Sequence, residues 1–371
     1  MKEFDIAAYI WPAYTGKEKR AWQFWPDKIG EWQSVKTAEK KFEGNDWPRK
    51  PLWGYEDEAD PAVMEKQIEE AVSHGVNVFI YDWYWYDNRP FLENCLNDGF
   101  LKAKNRDKMR FYLMWANHTA TTMWDKRIAD IDDLVDIWTG NVDRKTFEVI
   151  VERWIEKYFK QDNYYKIKGC PVFAIYEMSN FIGGLGGLEQ AADASRYFRE
   201  RVKAAGFPDL HLQMILKKRN YLCLSGVDGE ITISNDEIIR AFEMNSLTHY
   251  QFVHFVQFNE GYDMLMQNLE KELDKISNDY DLPYYPHVSV GWDNNPRTTK
   301  DRIMPYVAKE NTPENFARAL QLVKEYSLRH NEVPLITVNS WNEWTETSYL
   351  EPDDKYGYGY LDAIKKVFKD E

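Results

Sequence analysis

Cysteine is scarce in this chain: Cys95, Cys170 and Cys223 are the only three in 371 residues, each in an apolar segment. Three thiols build no disulfide framework. Without a CxxC pair or a His/Cys ligand spacing they read as buried thiols, and no metal or other cofactor is expected. No stretch approaches the ~18 apolar residues of a membrane span, and the opening Met1-Lys2-Glu3-Phe4-Asp5 lacks the apolar core of an export signal. As given, the chain reads as cytoplasmic, or as periplasmic or secreted if a leader has been removed, with no membrane partner. Positive charge is also short. Lys and Arg number 47 against 61 Asp and Glu, a net charge of −14, which argues against nucleic acid or an anionic lipid surface as partner.

Aromatic residues are abundant instead: 16% of the chain, with 15 Trp and 24 Tyr. Many lie in polar loops. Loop packing accounts for part of that excess, and flat apolar rings for stacking on sugar faces account for the rest.

Strand-like and helix-like segments alternate from end to end. Strands are expected at 6–11, 76–81, 110–115, 171–176, 210–216, 227–233, 287–290 and 335–338. Helices are expected at 62–74, 91–104, 145–159, 188–205, 262–276, 313–328 and 361–368. The spacing of Phe147, Ile150, Val151, Trp154, Ile155 and Tyr158 illustrates the helical pattern. About eight strands with helices between most of them, and no linker-like stretch, predict a single (β/α)₈ TIM barrel over residues 1–371 with long βα loops. Pro12 to Glu58 and Asn117 to Asp143 are those long loops, and both follow strand ends. Residues 234–261 give no clear pattern.

The strand ends share a composition. They read Trp11-Pro12-Ala13-Tyr14, Asp82-Trp83-Tyr84-Trp85-Tyr86, Trp115-Ala116-Asn117-His118, Tyr176-Glu177, Gly291-Trp292-Asp293-Asn294-Asn295 and Trp341-Asn342-Glu343-Trp344-Thr345-Glu346. A closed parallel barrel brings such ends to one rim, where the chemistry of this architecture sits. The last of these segments, after the eighth strand, carries Glu343 and Glu346 beside two indoles. Glycosidic cleavage needs one group to move a proton, one to carry charge and rings to stack on sugars. Residues three apart on an extended strand face opposite ways, so the pair shares a cavity only if the chain turns after Asn342. A helical turn would put their Cβ atoms about 5–6 Å apart, close to the ~5–5.5 Å carboxyl separation of retaining glycosidases. The plainer alternative makes Glu343 a buried structural acid and Glu346 a solvated loop residue. Candidate sugar contacts are Trp11, Tyr14, Asp82, Trp83, Trp85, Trp115, Asn117, Trp124, Glu177, Trp292, Asp293, Trp341, Asn342, Trp344 and Tyr349. His118 reads as a polar-network histidine, and Arg49 and Arg297 as ties between loops through carboxylates.

Trp341 to Glu346, with Tyr349-Leu350-Glu351-Pro352-Asp353 and Tyr356-Gly357-Tyr358-Gly359-Tyr360 after it, resembles the glycoside hydrolase family 99-like, or WbsX-type, group. Trp47-Pro48-Arg49-Lys50-Pro51-Leu52-Trp53-Gly54-Tyr55, Trp115-Ala116-Asn117, Ile131-Asp132-Asp133-Leu134 and Gly291 to Arg297 resemble it too. The likeness spans nearly the whole chain and implies a (β/α)₈ barrel. Family 99 proper consists of retaining endo-acting α-mannosidases and mannanases, and Glu343 and Glu346 fall on its two catalytic glutamates. The resemblance implies that Glu343 is a base on the sugar's own 2-hydroxyl, which closes to an epoxide, and that Glu346 is the general acid/base. An oligo- or polysaccharide of α-mannoside or α-rhamnoside type is the implied substrate. Thr345 stands where family 99 enzymes often carry His.

Two other readings compete. A nucleotide-sugar transferase would need a diphosphate site, for which Asp130-Ile131-Asp132 and Gly183-Gly184-Leu185-Gly186-Gly187 are loose matches. A non-catalytic carbohydrate-binding protein would keep the rings without needing the acid pair.

Overall fold

The computed structural model describes residues 3–226 and 229–369. Eight parallel strands form the centre: β1 (Asp5–Ile10), β2 (Val78–Tyr86), β3 (Arg110–Trp115), β4 (Cys170–Ile175), β5 (His211–Ile215), β6 (Ser246–Thr248), β7 (His287–Ser289) and β8 (Leu335–Asn339). They neighbour one another in chain order from β1 to β6, and β8 lies between β1 and β7. The Leu247–Tyr284 bridge closes the ring between β6 and the entry to β7. The expected (β/α)₈ barrel is therefore present.

Helices pack outside it: α1 (Pro61–His74), α2 (Arg144–Trp154), α3 (Leu188–Ala204), α4 (Asn235–Phe242), α5 (Tyr262–Asp279), α6 (Pro313–His330) and α7 (Gly359–Phe368). Their ends follow local chemistry. Asp60 accepts from the Ala62 amide ahead of Pro61, and Gly75 at φ 101° closes α1 in the left-handed region that a side chain resists. Thr312 with Pro313 opens α6 in the same way. No helix among the described residues is long and apolar enough to cross a membrane.

The barrel interior carries an unusual number of polar groups, which satisfy one another. Thr248 and Thr337 hydroxyls meet at 2.9 Å, His287 Nδ1 lies 3.0 Å from Thr337, and Tyr112 donates to Gln213 at 3.1 Å. Burial at this depth is tolerated only because each group has a partner.

Several expectations are corrected. The expected helix at 91–104 is a π turn, Cys95–Gly99, followed by a 3-10 turn, Phe100–Lys102. The segment at 227–233 is not a barrel strand. Gly229–Ser234 pairs antiparallel with Tyr221–Gly226 as a hairpin outside the barrel, and residues 227 and 228 lie outside the described residues. The sixth barrel strand is instead Ser246–Thr248, three residues too short and too polar to show a period. Of the three thiols only Cys95 is buried. Cys170 is half-buried and Cys223 exposed, because the latter sits on that hairpin.

Candidate active site

After β8 the chain turns where the acid pair requires it. Asn342–Glu343 pairs antiparallel with Ser348–Tyr349, and Trp344–Glu346 forms one 3-10 turn between them. That turn carries both Glu343 and Glu346 into one cavity of about 390 Å³ at the strand C-termini. It lies within the size range of small-ligand sites. Trp11, Tyr84, Trp124, Tyr176 and Trp292 form its aromatic walls; Asp82, Glu177, Tyr250, His254 and Arg297 are the other ionisable groups lining it, with His118.

Arg297 links the two acids. Its Nη2 donates to Glu343 Oε1 at 2.7 Å and its Nη1 to Glu346 Oε1 at 2.8 Å, while Thr345 Oγ1 also accepts from it. Glu31, fully buried, stands 3.5 Å from Arg297 Nε and accepts from the Trp11 indole at 2.5 Å. On the far side Tyr250 Oη lies 3.0 Å from both Asp82 Oδ2 and Glu343 Oε2. Burial, and next the charge of Glu343, push the Glu346 carboxyl up to about 8 against the opposing pull of Arg297. Burial, then Glu343, hold the Asp82 carboxyl well above the usual range. Three buried polar atoms of the lining have no hydrogen-bond partner: Asp82 Oδ1, Glu346 Oε2 and His254 Nδ1. Burial lowers His254 well below the usual imidazole range, so its ring is neutral.

A second pair of acids props the turn from behind. Glu58 accepts from Asn342 Nδ2 at 2.9 Å, and Glu351 accepts from the Trp344 indole at 2.6 Å, with Gln67 donating to Glu351 at 2.9 Å. Burial pushes Glu351 up to about 8 and Glu58 well above its usual value.

The strand period sorts the remaining candidates. On β2, Asp82 and Tyr84 face the cavity, so Trp83 points outward onto Trp154 and stacks with Trp85. Trp115 likewise packs outside on Phe147, Trp154 and Phe181. Trp341 meets Phe79 and Trp53. Trp344 stacks on Tyr349 with centroids 3.7 Å apart, and Tyr14 Oη accepts from the Trp344 amide at 3.0 Å. Asn342 pairs with both backbone polar groups of Trp11. Asn117 holds the backbone of Glu177, and Asp293 accepts from Asn45 and Asn295. Those nine side chains with Tyr349 support the cavity rather than line it.

Tyr250 and His254 come from the stretch without a sequence pattern, and their placement was not foreseen. Arg297 ties carboxylates as expected, but at the centre of the site. Arg49 does so in the loops, 3.5 Å from Asp353. Asp130 and Asp132 pair with Arg302 on exposed loop. Gly186 and Gly187, at φ 95° and 122°, connect the short helix Met178–Leu185 to α3.

The family model described as "Glycosyltransferase WbsX" matches residues 6–364. The chain belongs to that family. Uncharacterized protein WxcX from Xanthomonas campestris pv. campestris is 26% identical over 98% of this chain and 49% of its own length, as is the same protein of a second strain. The chain thus spans about half the length of these curated relatives. Among solved structures, a glycoside hydrolase-like protein superposes with a TM-score of 0.63 at 13% identity, covering 100% of this chain and 95% of its own. A GH99 endo-alpha-mannosidase from Bacteroides thetaiotaomicron gives 0.57 at 12% identity, over 98% and 96%. At such identities these two likenesses support the barrel fold of this WbsX-family member.

Proposed function

We propose that the protein is a retaining glycoside hydrolase acting on α-mannoside- or α-rhamnoside-type glycans. The observation that carries this is the delivery of Glu343 and Glu346 by one turn into one aromatic-walled cavity, bridged by Arg297. Glu346, held up to about 8, is a protonated acid at neutral pH, and its Oε2 is engaged by no other group of the protein. Glu343, paired to the guanidinium, is the ionised base.

In the first step Glu343 takes the proton of the sugar 2-hydroxyl, and that oxygen attacks the anomeric carbon. The bond to the leaving oxygen breaks as Glu346 gives that oxygen its proton. Water then opens the resulting 1,2-epoxide at the anomeric carbon. Glu346, now ionised, takes the water's proton, and Glu343 returns its own to O2. Two inversions leave the configuration retained. Arg297 supports both stages by stabilising whichever carboxyl is charged. Trp11, Trp124 and Trp292 offer stacking faces.

The family description favours a second reading, glycosyl transfer. A diphosphate donor would face four lining carboxyl groups and a single guanidinium already engaged by acids. The same two-step chemistry performs transfer if a sugar hydroxyl replaces water in the second step. Incubation with aryl α-mannoside, aryl α-rhamnoside and polymeric glycans, with nucleotide-sugar consumption followed in parallel, separates these readings. Release of the α-anomer without nucleotide-sugar loss is expected. Nucleotide-sugar consumption with intact glycosides would overturn the hydrolase reading.

A further inference from the structure

Tyr250 Oη has one proton and two carboxyl neighbours, Asp82 Oδ2 and Glu343 Oε2, each at 3.0 Å. A phenol donates a single hydrogen bond and otherwise accepts. If both carboxyl groups were ionised, one of these contacts would set lone pair against lone pair at 3.0 Å. A second proton must therefore lie on the line Asp82–Tyr250–Glu343.

The surroundings decide where it sits. Glu343 has a cation: Arg297 Nη2 at 2.7 Å. Asp82 has no ion-pair partner, and the groups that act on it most are phenols and other acids; His118, His254 and Arg297 stand elsewhere on the cavity wall. Tyr250, Tyr84, Tyr9 and Tyr176 surround it, with Glu343 and Glu346 beyond. Tyr84 also acts on Asp82 as a hydrogen-bonding phenol, more weakly than Tyr250, and Asp82 Oδ1 has no partner. A negative charge is better placed on the acid with the guanidinium than on the acid without one.

We propose that Asp82 is a neutral carboxylic acid that donates to Tyr250, whose own proton is thereby directed onto Glu343, making Asp82 and Tyr250 positioning residues for an ionised Glu343. The chain of hydrogen bonds runs Asp82 Oδ2–H to Tyr250 Oη, then Tyr250 Oη–H to Glu343 Oε2. It carries two protons and one negative charge. Glu343 thus receives hydrogen bonds from two directions, Arg297 on Oε1 and Tyr250 on Oε2, which fixes its carboxyl plane.

The catalytic consequence rests on the hydrolase reading, but the proton count does not, so the test has two arms. In the first, infrared spectra of the intact protein carrying carboxyl-¹³C aspartate are recorded at neutral pH. A protonated-acid carbonyl band that shifts with the aspartate label, and that Asp82→Asn removes, is expected. Absence of any label-shifted acid band in the wild-type protein overturns the proposal, and needs neither a variant nor activity. In the second arm, turnover of a glycoside is followed against pH for Asp82→Asn and Tyr250→Phe. The asparagine amide can still donate to Tyr250, so Asp82→Asn should cost about 10-fold and leave the acidic limb in place. Tyr250→Phe removes the donor to Glu343. It should cost about 10²-fold and move the acidic limb up by about one pH unit, as loss of a hydrogen bond to the charged form requires. Acidic limbs that coincide in wild type and Tyr250→Phe would overturn the proposed link to Glu343. No glycoside turnover in the wild type, together with the labelled acid band, would sink the hydrolase reading and leave the Asp82 proton assigned.

Discussion

Arg297 donates to Glu346 Oε1 at 2.8 Å and leaves Glu346 Oε2 buried without a partner. The guanidinium thus steadies the acid through one oxygen while the other is engaged by no group of the protein.

Replacing Arg297 by Met should therefore do more than remove a charge. Glu31, Glu343 and Glu346 would share a buried site with no cation, at a stability cost of about 3–5 kcal/mol. Turnover should fall by about 10²–10³-fold, the scale of a lost electrostatic stabiliser. Because Arg297 pulls the Glu346 carboxyl down, its removal should move the basic limb of kcat/KM to higher pH. Arg297→Lys, keeping the charge but not the fork, should fall between. Kinetics against pH with a thermal melt check both effects, and a basic limb moving downward would contradict the role.

Glu346 must be protonated to act as acid, so activity should decline as pH rises through about 8. Glu343→Gln and Glu346→Gln should each lower turnover of natural glycans by at least ~10²-fold. For Glu346→Gln the loss should shrink on aryl glycosides whose leaving group departs without protonation. Equal losses on both substrate types would reject the acid role.

Stability carries its own pH signature. Glu346 and Glu351 are each raised from 4.5 to about 8 by burial first. A raised carboxyl binds its proton more tightly in the folded state. The stability it contributes is complete below about 4.5 and is lost as pH climbs through about 8. Urea midpoints should thus fall between pH 5 and 9, and Glu351→Gln should flatten the decline. The glutamine amide cannot accept from both Trp344 and Gln67, so this variant should also lose about 1–3 kcal/mol at neutral pH.

Two tryptophans should respond in opposite ways. Trp292 lines the cavity and is half-buried; Trp292→Ala should raise KM by about 3- to 10-fold, the value of one aromatic contact, with little change in melting temperature. Trp115 is buried against Phe147, Trp154 and Phe181. Trp115→Ala should cost about 3–5 kcal/mol of stability and leave KM unchanged where the protein stays folded.

The barrel was legible because long apolar strands such as Val78–Tyr86 and Leu335–Asn339 alternate with capped helices. The turn after Asn342 followed from requiring both acids to meet. What escaped was direction. Trp83 and Trp115 sit at strand ends as Asp82 and Trp11 do, yet pleating sends them outward, and composition does not record which way a strand is rotated. Tyr250 and His254 were missed because β6 has only three residues, and nothing local marks the loop that follows it as part of the rim. Arg297 could be named, but a guanidinium shared by acids from two distant segments is a property of the closed ring.

The antiparallel pairing of Asn342–Glu343 with Ser348–Tyr349 has an evolutionary corollary. Both acids are carried on a cassette of eight residues, which the loop after β1 braces through Tyr14 and Glu58. The loop after β3 instead supplies Trp124 to the cavity wall, so changes in its length and composition can suit a different glycan while the reactive pair keeps its brace.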